Sequence, residues 1–346
     1  MPAVTSLRRA HPQWFLGWAI EPRWLPLLQG SGGEMPLVDR THLVTAKEWS
    51  RAPLSLKTFA EIRAMRAELH TAHYDVCVDL QGAIRSAWVA RAAGAPRLLG
   101  EEQPREWAAR WLFRERIPAA GAHVIEQALE VCEAIAGEKL EPSLPLLPVA
   151  ARAEDWARAL LNAGKLLNVV DSKREDRCGM TGDPVVVMSP GAGWGAKRWP
   201  ASRYGAVAAK LNQAGYRVLI NAGPGEQEIA DEVIATSGGV AEAPEFTLER
   251  LISVARSARL MIAGDTGPLH LACALGKPVV GIFGPTEPKR NGPFGVPFRV
   301  LRHPASKRDH ARRSAPEAGL LTITPDEVVA AALDLLLQPD QLKEQA

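Results

Sequence analysis

The sequence predicts an α/β protein built from two doubly wound, Rossmann-like domains that face a central cleft. The length of 346 residues suggests two domains, at roughly 150 residues per domain. Short apolar runs alternate with amphipathic stretches, which is typical of a parallel sheet covered by helices. Apolar residues make up 47% of the chain, enough to fill two cores.

The first half begins with a helix, although most domains of this class begin with a strand. We therefore expect the first strand of this domain to be missing; a domain that simply begins with a helix is the alternative. Helices are predicted over 1–9, 56–70, 84–93, 107–113 and 125–136, and strands over 14–20, 74–80 and 98–100.

The second half predicts a complete doubly wound unit followed by a final amphipathic helix. Strands are predicted over 184–188, 217–221, 260–263 and 279–283, and helices over 200–214, 226–237, 248–255, 269–275 and 325–337. The charged segment 173–183 is expected to be a linker. We assign 1–170 to an N-terminal domain and 171–322 to a C-terminal domain. Residues 323–346 are expected to pack back on the first domain.

Composition excludes several classes of protein. The formal charge of +2, from 41 basic and 39 acidic residues, gives no electrostatic basis for nucleic-acid binding. No apolar run approaches the roughly 18 residues of a membrane span, and no signal-peptide pattern begins the chain. We therefore expect a cytoplasmic protein, peripheral to a membrane at most. The cysteines form no C-x-x-C metal or redox pair, and small buried thiols are favoured over disulfides: Cys77, Cys132, Cys178 and Cys273.

A glycine-rich loop over 189–200 follows a predicted buried strand and precedes a helix. Gly191 and Gly193 would allow backbone N–H groups to approach a phosphate closely, and the helix N-terminus favours anions. Lys197 and Arg198 add positive charge at the same place. The pattern favours a diphosphate site over its alternative, a Gly-rich turn with solvated cations.

The same loop weakly matches a dinucleotide fingerprint, G-x-G-x-x-G/A, through Gly191, Gly193 and Ala196. In that fingerprint the glycines run directly into the helix, whereas Pro200 restarts the helix here. No acid closes the next strand, which ends at Asn221. An NAD-dependent oxidoreductase is therefore the less favoured alternative.

Two further loops follow predicted strands. In the first, residues 223–226, Glu226 either caps a helix or accepts hydrogen bonds from ribose hydroxyls. In the second, Asp265 lies at the carboxyl end of a strand, where open α/β sheets bind ligands. Thr266, Gly267 and Pro268 begin the next helix. His270 lies on its first turn, where a lone histidine is more often structural.

Three segments together resemble the heptosyltransferase family, glycosyltransferase family nine, which builds the inner core of lipopolysaccharide. They are D-L-Q-G-A-I-R-S at 79–86, P-G-A-G-W-G-A-K-R-W-P at 190–200, and D-T-G-P-L-H-L-A-C-A-L-G-K-P-V-V-G-I-F-G-P-T-E-P at 265–288. The likeness covers nearly the whole chain, and the last two segments together are specific.

The resemblance implies a GT-B fold, ADP-heptose as donor, a Kdo–lipid A type acceptor, and inverting transfer that needs neither metal nor cofactor. It implies that Lys197 and Ser189 contact the diphosphate, Glu226 the ribose and Phe246 the adenine. The 265–268 loop with His270 would hold the heptose and diphosphate. Arg85 and Arg105 would meet the anionic acceptor.

The resemblance fails at the start of the chain. Family members open with a strand and a loop whose aspartate is the expected general base, and no residue here occupies its place. We expect that base to lie before Met1, so the catalytic residue is not assigned; a catalytically impaired nucleotide-sugar-binding paralogue is the alternative. A lipid-linked acceptor also implies peripheral contact with the inner membrane. Arg8, Arg9 and Arg63 could contribute, although a solvated helix face is the favoured interpretation of these charges.

Overall fold

A computed structural model of the chain describes residues 1–49, 51–52, 54–163, 184–306 and 314–338. The chain divides into two compact units, Met1–Pro148 and Val149–Ala346. The predicted linker at 173–183 lies outside the described residues. Within the described ranges, no helix is long and apolar enough to cross a membrane.

The first unit contains two small parallel sheets, β1-β2 and β3-β4-β5. Its elements in chain order are α1 (Pro2–Ala10), β1 (Gly17–Ile20), a 3₁₀ helix (Pro22–Leu27), β2 (Arg40–Leu43), α2 (Ala46–Trp49), α3 (Leu56–Thr71), β3 (Val76–Asp79), α4 (Ile84–Ala92), β4 (Arg97–Glu101), a 3₁₀ helix (Trp107–Leu112), β5 (Glu115–Ile117) and α5 (Val124–Ala136). The helix predicted over 107–113 is therefore a 3₁₀ helix, and β2 and β5 were not predicted.

Alanines allow α4 to approach the second 3₁₀ helix closely. Ala87 and Ala90 on α4 pack against Ala109 and the ring of Phe113, all of them buried. The loop after β3 leads into α4, and the loop after β4 leads into the 3₁₀ helix. The contact between these two helices therefore holds the two loops close together. The carboxyl ends of these two parallel strands thus lie together.

The second unit contains one six-stranded parallel sheet in the order β11-β10-β9-β6-β7-β8. Its helices and strands are α6 (Ala151–Ala163), β6 (Val185–Ser189), α7 (Ala201–Gln213), β7 (Arg217–Ile220), α8 (Gln227–Thr236), β8 (Ala241–Glu242), α9 (Leu248–Ser257), β9 (Leu260–Gly264), α10 (Gly267–Ala274), β10 (Val279–Phe283), α11 (Pro288–Asn291), β11 (Phe298–Arg302) and α12 (Pro325–Leu337). Short 3₁₀ helices occupy Gly195–Lys197 and Leu320–Thr322. Every residue of β6, β9 and β10 is buried, as expected for strands covered by helices on both faces. The structure confirms the predicted α/β class with parallel sheets.

Two boundaries differ from the sequence-based expectation. Helix α6 packs on α9 and so lies in the second unit, which places the division at 148/149 rather than near 170. Val328, Ala332 and Leu335 of α12 enter the core of the second unit. This helix is therefore part of the second unit. Residues 339–346 lie outside the described residues.

Candidate active site

The second unit has its topological switch point between β6 and β9. These two strands are neighbours, with Ser189 opposite Ala263, yet the chain leaves them toward opposite edges of the sheet. Loops diverge at such a point and leave a crevice at the carboxyl ends of the strands, where open α/β sheets bind ligands. The two loops singled out in the sequence, after β6 and after β9, both begin here.

Lys197 and Asp265 join these two loops. The Lys197 Nζ lies 2.5 Å from Asp265 Oδ2 and 3.3 Å from the Asp265 carbonyl oxygen. The side chains are only 11% and 9% exposed, respectively. Nζ also lies 4.4 Å from the ring centre of Trp194, a cation–π contact that the sequence analysis did not anticipate. The ammonium group is thus held at the switch point by groups from both loops.

Asp265 is held in its charged form. Burial raises the pKa of Asp265, but hydrogen bonds from His270 and Lys197, with the charges of those groups, outweigh burial and lower it to about 2. His270 Nε2 lies 3.3 Å from Asp265 Oδ1, and its side chain is 45% exposed. The histidine is therefore part of the cluster and keeps an accessible ring.

Helix α10 begins beside this pair. Its first residues are Gly267 and Pro268, and Thr266 is its N-cap. Thr266 makes no side-chain cap; its hydroxyl donates instead to the Gly264 carbonyl at 3.3 Å. Because the first amides of a helix have no carbonyl partner within the helix, this end of α10 carries partial positive charge.

Ser189 lies at the carboxyl end of β6 and is buried. Its Oγ accepts a hydrogen bond of 3.0 Å from Asn221 Nδ2, which joins the ends of β6 and β7. In the sequence, Asn221 shows only that β7 ends without an acid. Nothing there indicates its hydrogen bond to Ser189. The Ser189 hydroxyl still has its own proton to donate.

Glu226 does not cap α8 through its side chain. Its carboxylate turns back toward the strand end, where Oε2 accepts a 2.8 Å hydrogen bond from the Gly223 N–H. A β-carbon on Gly191 would lie only 2.0 Å from Oε2. Gly191 and Glu226 are therefore in close approach, and the glycine leaves room for the carboxylate. The geometry favours the ligand-binding interpretation over capping.

The loop after β6 is held by contacts with Ser314 and Glu317. A β-carbon on Gly195 would lie 1.6 Å from the Ser314 carbonyl oxygen, and the Glu317 N–H donates to the Ala196 carbonyl at 3.2 Å. The loop passes through its 3₁₀ helix before Pro200 caps α7. The glycines therefore do not run directly into the helix as a dinucleotide fingerprint requires.

Phe246 lies in the loop between β8 and α9, at the same carboxyl edge of the sheet. Its ring meets the edge of Trp156 at a centroid distance of 5.9 Å, and the Arg250 guanidinium lies 4.5 Å from the Trp156 ring. Trp156 was not predicted as a site residue, because it precedes the sheet in sequence.

Arg85 and Arg105 lie together in the first unit, after β3 and β4. Both flank Glu106, whose carboxylate accepts from the Ile84 N–H at 2.9 Å and lies 3.2 Å from Arg105 Nη2. The Ile84 hydrogen bond and the two guanidinium groups lower the pKa of Glu106. The two predicted acceptor residues are thus brought to one place, around an acid the sequence analysis did not single out.

Asp79 shapes the loop that carries Arg85. Its carboxylate accepts hydrogen bonds from the Gln81 and Gly82 N–H groups and from the Ser86 hydroxyl. Gly82 has a φ of +63° and approaches the Arg105 backbone so closely that a β-carbon would lie 2.8 Å from its nitrogen. Burial raises the pKa of Asp79.

Comparison with known proteins identifies the family. The model of glycosyltransferase family 9 (heptosyltransferase) matches residues 62–319, about three quarters of the chain. The chain belongs to glycosyltransferase family 9. Membership confirms the predicted enzyme class, a glycosyltransferase that transfers heptose, rather than the oxidoreductase alternative.

Named relatives agree with this assignment. Lipopolysaccharide heptosyltransferase 1 of Pseudomonas aeruginosa is 27% identical over 305 residues, which cover 85% of this chain and 77% of the relative. Lipopolysaccharide heptosyltransferase 1 of Escherichia coli K12 is 25% identical, with coverage of 88% and 89%.

Two solved structures share the fold. ADP-heptose lps heptosyltransferase II of E. coli has a TM-score of 0.72 at 22% identity and covers 97% of this chain and 94% of that one. The family 9 enzyme of Veillonella parvula has a TM-score of 0.76 at 20% identity, with coverage of 98% and 93%. This likeness confirms the predicted GT-B class with two Rossmann-like domains.

Proposed function

We propose that this family 9 enzyme transfers heptose from ADP-heptose to a lipopolysaccharide inner-core acceptor of the Kdo–lipid A type. The observation that carries the proposal is the Lys197–Asp265 pair at the β6/β9 switch point. One member is a cation suited to a diphosphate, and the other is a carboxylate suited to sugar hydroxyls. A nucleotide sugar presents both chemistries at adjacent positions. Solved relatives crystallised with ADP and with ADP-2-deoxy-2-fluoro heptose support the same donor.

The proposed chemistry depends on charge stabilisation of the leaving diphosphate. In inverting transfer, negative charge grows on the diphosphate as the sugar departs, and a fixed cation stabilises that charge. Lys197, fixed by Asp265 and Trp194, supplies it together with the N-terminal end of α10. The Ser189 hydroxyl is placed to donate to the same phosphates. Because the cation is a side chain, we propose that transfer proceeds without a metal ion.

The nucleoside would be recognised on the β7 and β8 side of the sheet. Glu226 turns its carboxylate toward Gly191 rather than into α8, and this position suits a pair of ribose hydroxyls. Phe246 and Trp156 offer aromatic surface for the adenine ring, with Arg250 against Trp156. Asp265 and His270 would then meet the heptose hydroxyls.

The acceptor is proposed to bind the first unit through Arg85 and Arg105, since guanidinium groups pair well with carboxylate and phosphate. We place the enzyme in the cytoplasm with peripheral contact at the inner membrane. The free thiols of Cys77, Cys132 and Cys273 accord with a reducing compartment.

Calorimetric titration with ADP, UDP and NAD tests the donor assignment. We expect ADP to bind best and Lys197→Ala to lower its affinity at least tenfold, because a charge-assisted hydrogen bond contributes about 1.5–3 kcal/mol. Lys210→Ala is the matched control, since Lys210 pairs with Asp326 on the outer surface of the same unit. Preference for UDP or NAD, or equal losses in the two variants, would refute the donor assignment.

Transfer itself is tested with ADP-heptose and a Kdo–lipid A acceptor, in the presence and absence of a chelator. Release of ADP at the same rate with and without chelator is the expected result. Loss of activity with chelator, restored by a divalent ion, would contradict metal-independent transfer. ADP binding without any transfer would favour the impaired paralogue instead.

A further inference from the structure

The 3₁₀ helix Trp107–Leu112 and the strand that follows it carry an unusual exposed surface. Trp107 and Trp111 are each 60% exposed, and their rings meet edge to face at a centroid distance of 5.6 Å. Large indoles are normally buried in a protein interior. We call the surface formed by these two tryptophans with Arg110, Arg114 and Arg116 the Trp–Arg face.

Two of the three arginines of the Trp–Arg face, Arg110 and Arg116, lie over the indoles. The Arg110 guanidinium lies 5.7 Å and 5.6 Å from the ring centres of Trp107 and Trp111, and that of Arg116 lies 5.0 Å from Trp111. Within the described ranges, none of the three arginines of the face forms an ion pair. Arg114 Nη1 donates to the Pro96 carbonyl and Arg116 Nε to the Arg110 carbonyl, while the buried Arg110 Nε has no hydrogen-bond partner.

The neighbouring acids are already engaged elsewhere. Glu106 is bound by the Ile84 N–H and Arg105, and Glu115 by a two-point contact with Arg97 at 2.8 and 2.7 Å. The face therefore presents uncompensated positive charge beside apolar rings.

The face is supported from beneath by α4, which also carries exposed apolar side chains. Beneath it, Ala109 is fully buried and packs against Ala87 of α4. On the outer side of α4, Ile84 and Trp88 are exposed and stand one helical turn apart, so they share one face of the helix. The indoles are thus presented by a packed platform, which needs no ordering when it meets a partner.

We propose that the Trp–Arg face docks the enzyme on the surface of an anionic lipid bilayer. Tryptophan is favoured at the membrane–water interface, because its ring is apolar and its N–H is polar. Guanidinium groups pair with the phosphates of anionic headgroups, and juxtamembrane basic residues are attracted to them. A single face that presents indoles and unpaired guanidinium groups together matches that interface in both respects. The six-residue 3₁₀ helix would lie in the headgroup layer without spanning the bilayer.

This inference rests on the proposed function for its biological sense and deepens it. Arg105, a proposed acceptor contact, lies two residues before Trp107 of the face. Docking would therefore bring a lipid-linked acceptor to the residues proposed to bind it. Binding to vesicles requires neither donor nor acceptor, so failure of docking and failure of transfer are separately observable.

The test is co-sedimentation of the full chain with vesicles of phosphatidylcholine alone, or mixed with phosphatidylglycerol. We expect binding only to the anionic vesicles, weakening as salt is raised. The charge variant Arg114→Gln/Arg116→Gln should lower the partition coefficient roughly 30-fold, given the usual contribution of each basic residue. The aromatic variant Trp107→Ser/Trp111→Ser should lower it as well. The control is Trp24→Ser, which removes a 42% exposed indole stacked on Arg23 elsewhere in the same unit.

Three results would overturn the proposal, provided circular dichroism shows each variant folded. One is equal binding of the aromatic variant, the Trp24→Ser control and the unaltered chain. Another is absence of binding by the unaltered, folded chain at low salt. The last is a dimer of the unaltered chain, seen by sedimentation, that the aromatic variant does not form, together with no vesicle binding by the unaltered chain. The face would then join two copies of the chain.

Discussion

Replacing Asp265 with asparagine should cost stability in a way that depends on pH. The pKa of Asp265 is lowered in the folded chain from 3.8 to about 2. A depression of that size stabilises the folded state by about 2 kcal/mol once the carboxyl is ionised in both states. Because the side chain is only 9% exposed, solvent screening reduces this value little.

The sign follows from the direction of the shift. A depressed folded pKa stabilises the fold above the unfolded value near 4, and the contribution disappears as pH falls from about 4 to about 2. Linkage predicts that roughly half of it persists at pH 3. The difference in unfolding free energy between the unaltered chain and Asp265→Asn should therefore shrink by about 1 kcal/mol between pH 7 and pH 3.

Urea unfolding at a series of pH values measures this difference. Glu115→Gln is the control, since it breaks a two-point ion pair with Arg97 that solvent reaches, and screening should leave a smaller pH-dependent change there than for Asp265. A difference for Asp265→Asn that is constant from pH 7 to pH 3 would show that its carboxylate is not held by Lys197 and His270 as described.

Three further predictions follow from the same contacts. Gly191→Ala should displace the Glu226 carboxylate and lower ADP affinity, as Glu226→Ala should, while leaving the melting temperature nearly unchanged. Gly193→Ala, where a β-carbon meets open space, is the control, and equal ADP binding by Gly191→Ala and Gly193→Ala in calorimetry would contradict the reasoning. Arg105→Ala should raise the KM for the acceptor without changing ADP affinity. Arg63→Ala, at an exposed position of α3, should change neither quantity. An altered ADP affinity in Arg105→Ala would speak against an acceptor role. Thr324→Ala removes the reciprocal cap with Glu327 at the start of α12 and should cost about 1 kcal/mol in urea unfolding, which an unchanged midpoint would disprove.

Much of the second unit could be predicted from the sequence. The central strands β6, β9 and β10 are buried on both faces and therefore read as continuous apolar runs. Helix α12 carries its own start signal, a capping box with proline in the first turn, and its bounds were predicted correctly.

Each strand that was missed pairs with a single neighbouring strand. Strand β11 contains two arginines among its five residues, β8 is two residues long, and β2 includes exposed Arg40. Such strands lack the apolar run by which central strands are recognised.

The loops of the candidate site could be located from sequence, but their side-chain partners could not. Lys197 and Asp265 were each predicted as ligand-binding residues, and nothing in their spacing indicated that they contact each other. Whether Glu226 caps a helix depends on a side-chain rotation that the sequence leaves undetermined. Trp156 precedes the sheet, so only the folded chain shows that it lies against Phe246.

The order of strands in the second unit also bears on how the site forms during folding. Lys197 and Asp265 are 68 residues apart in sequence, and the intervening chain builds β7, β8 and the helices around them. Contacts of such long range form slowly, because a large loop must close before they can contribute. Donor affinity therefore requires that β6 and β9 have already paired. A ligand that spans both loops would in turn slow their separation and protect the central strands from hydrogen exchange.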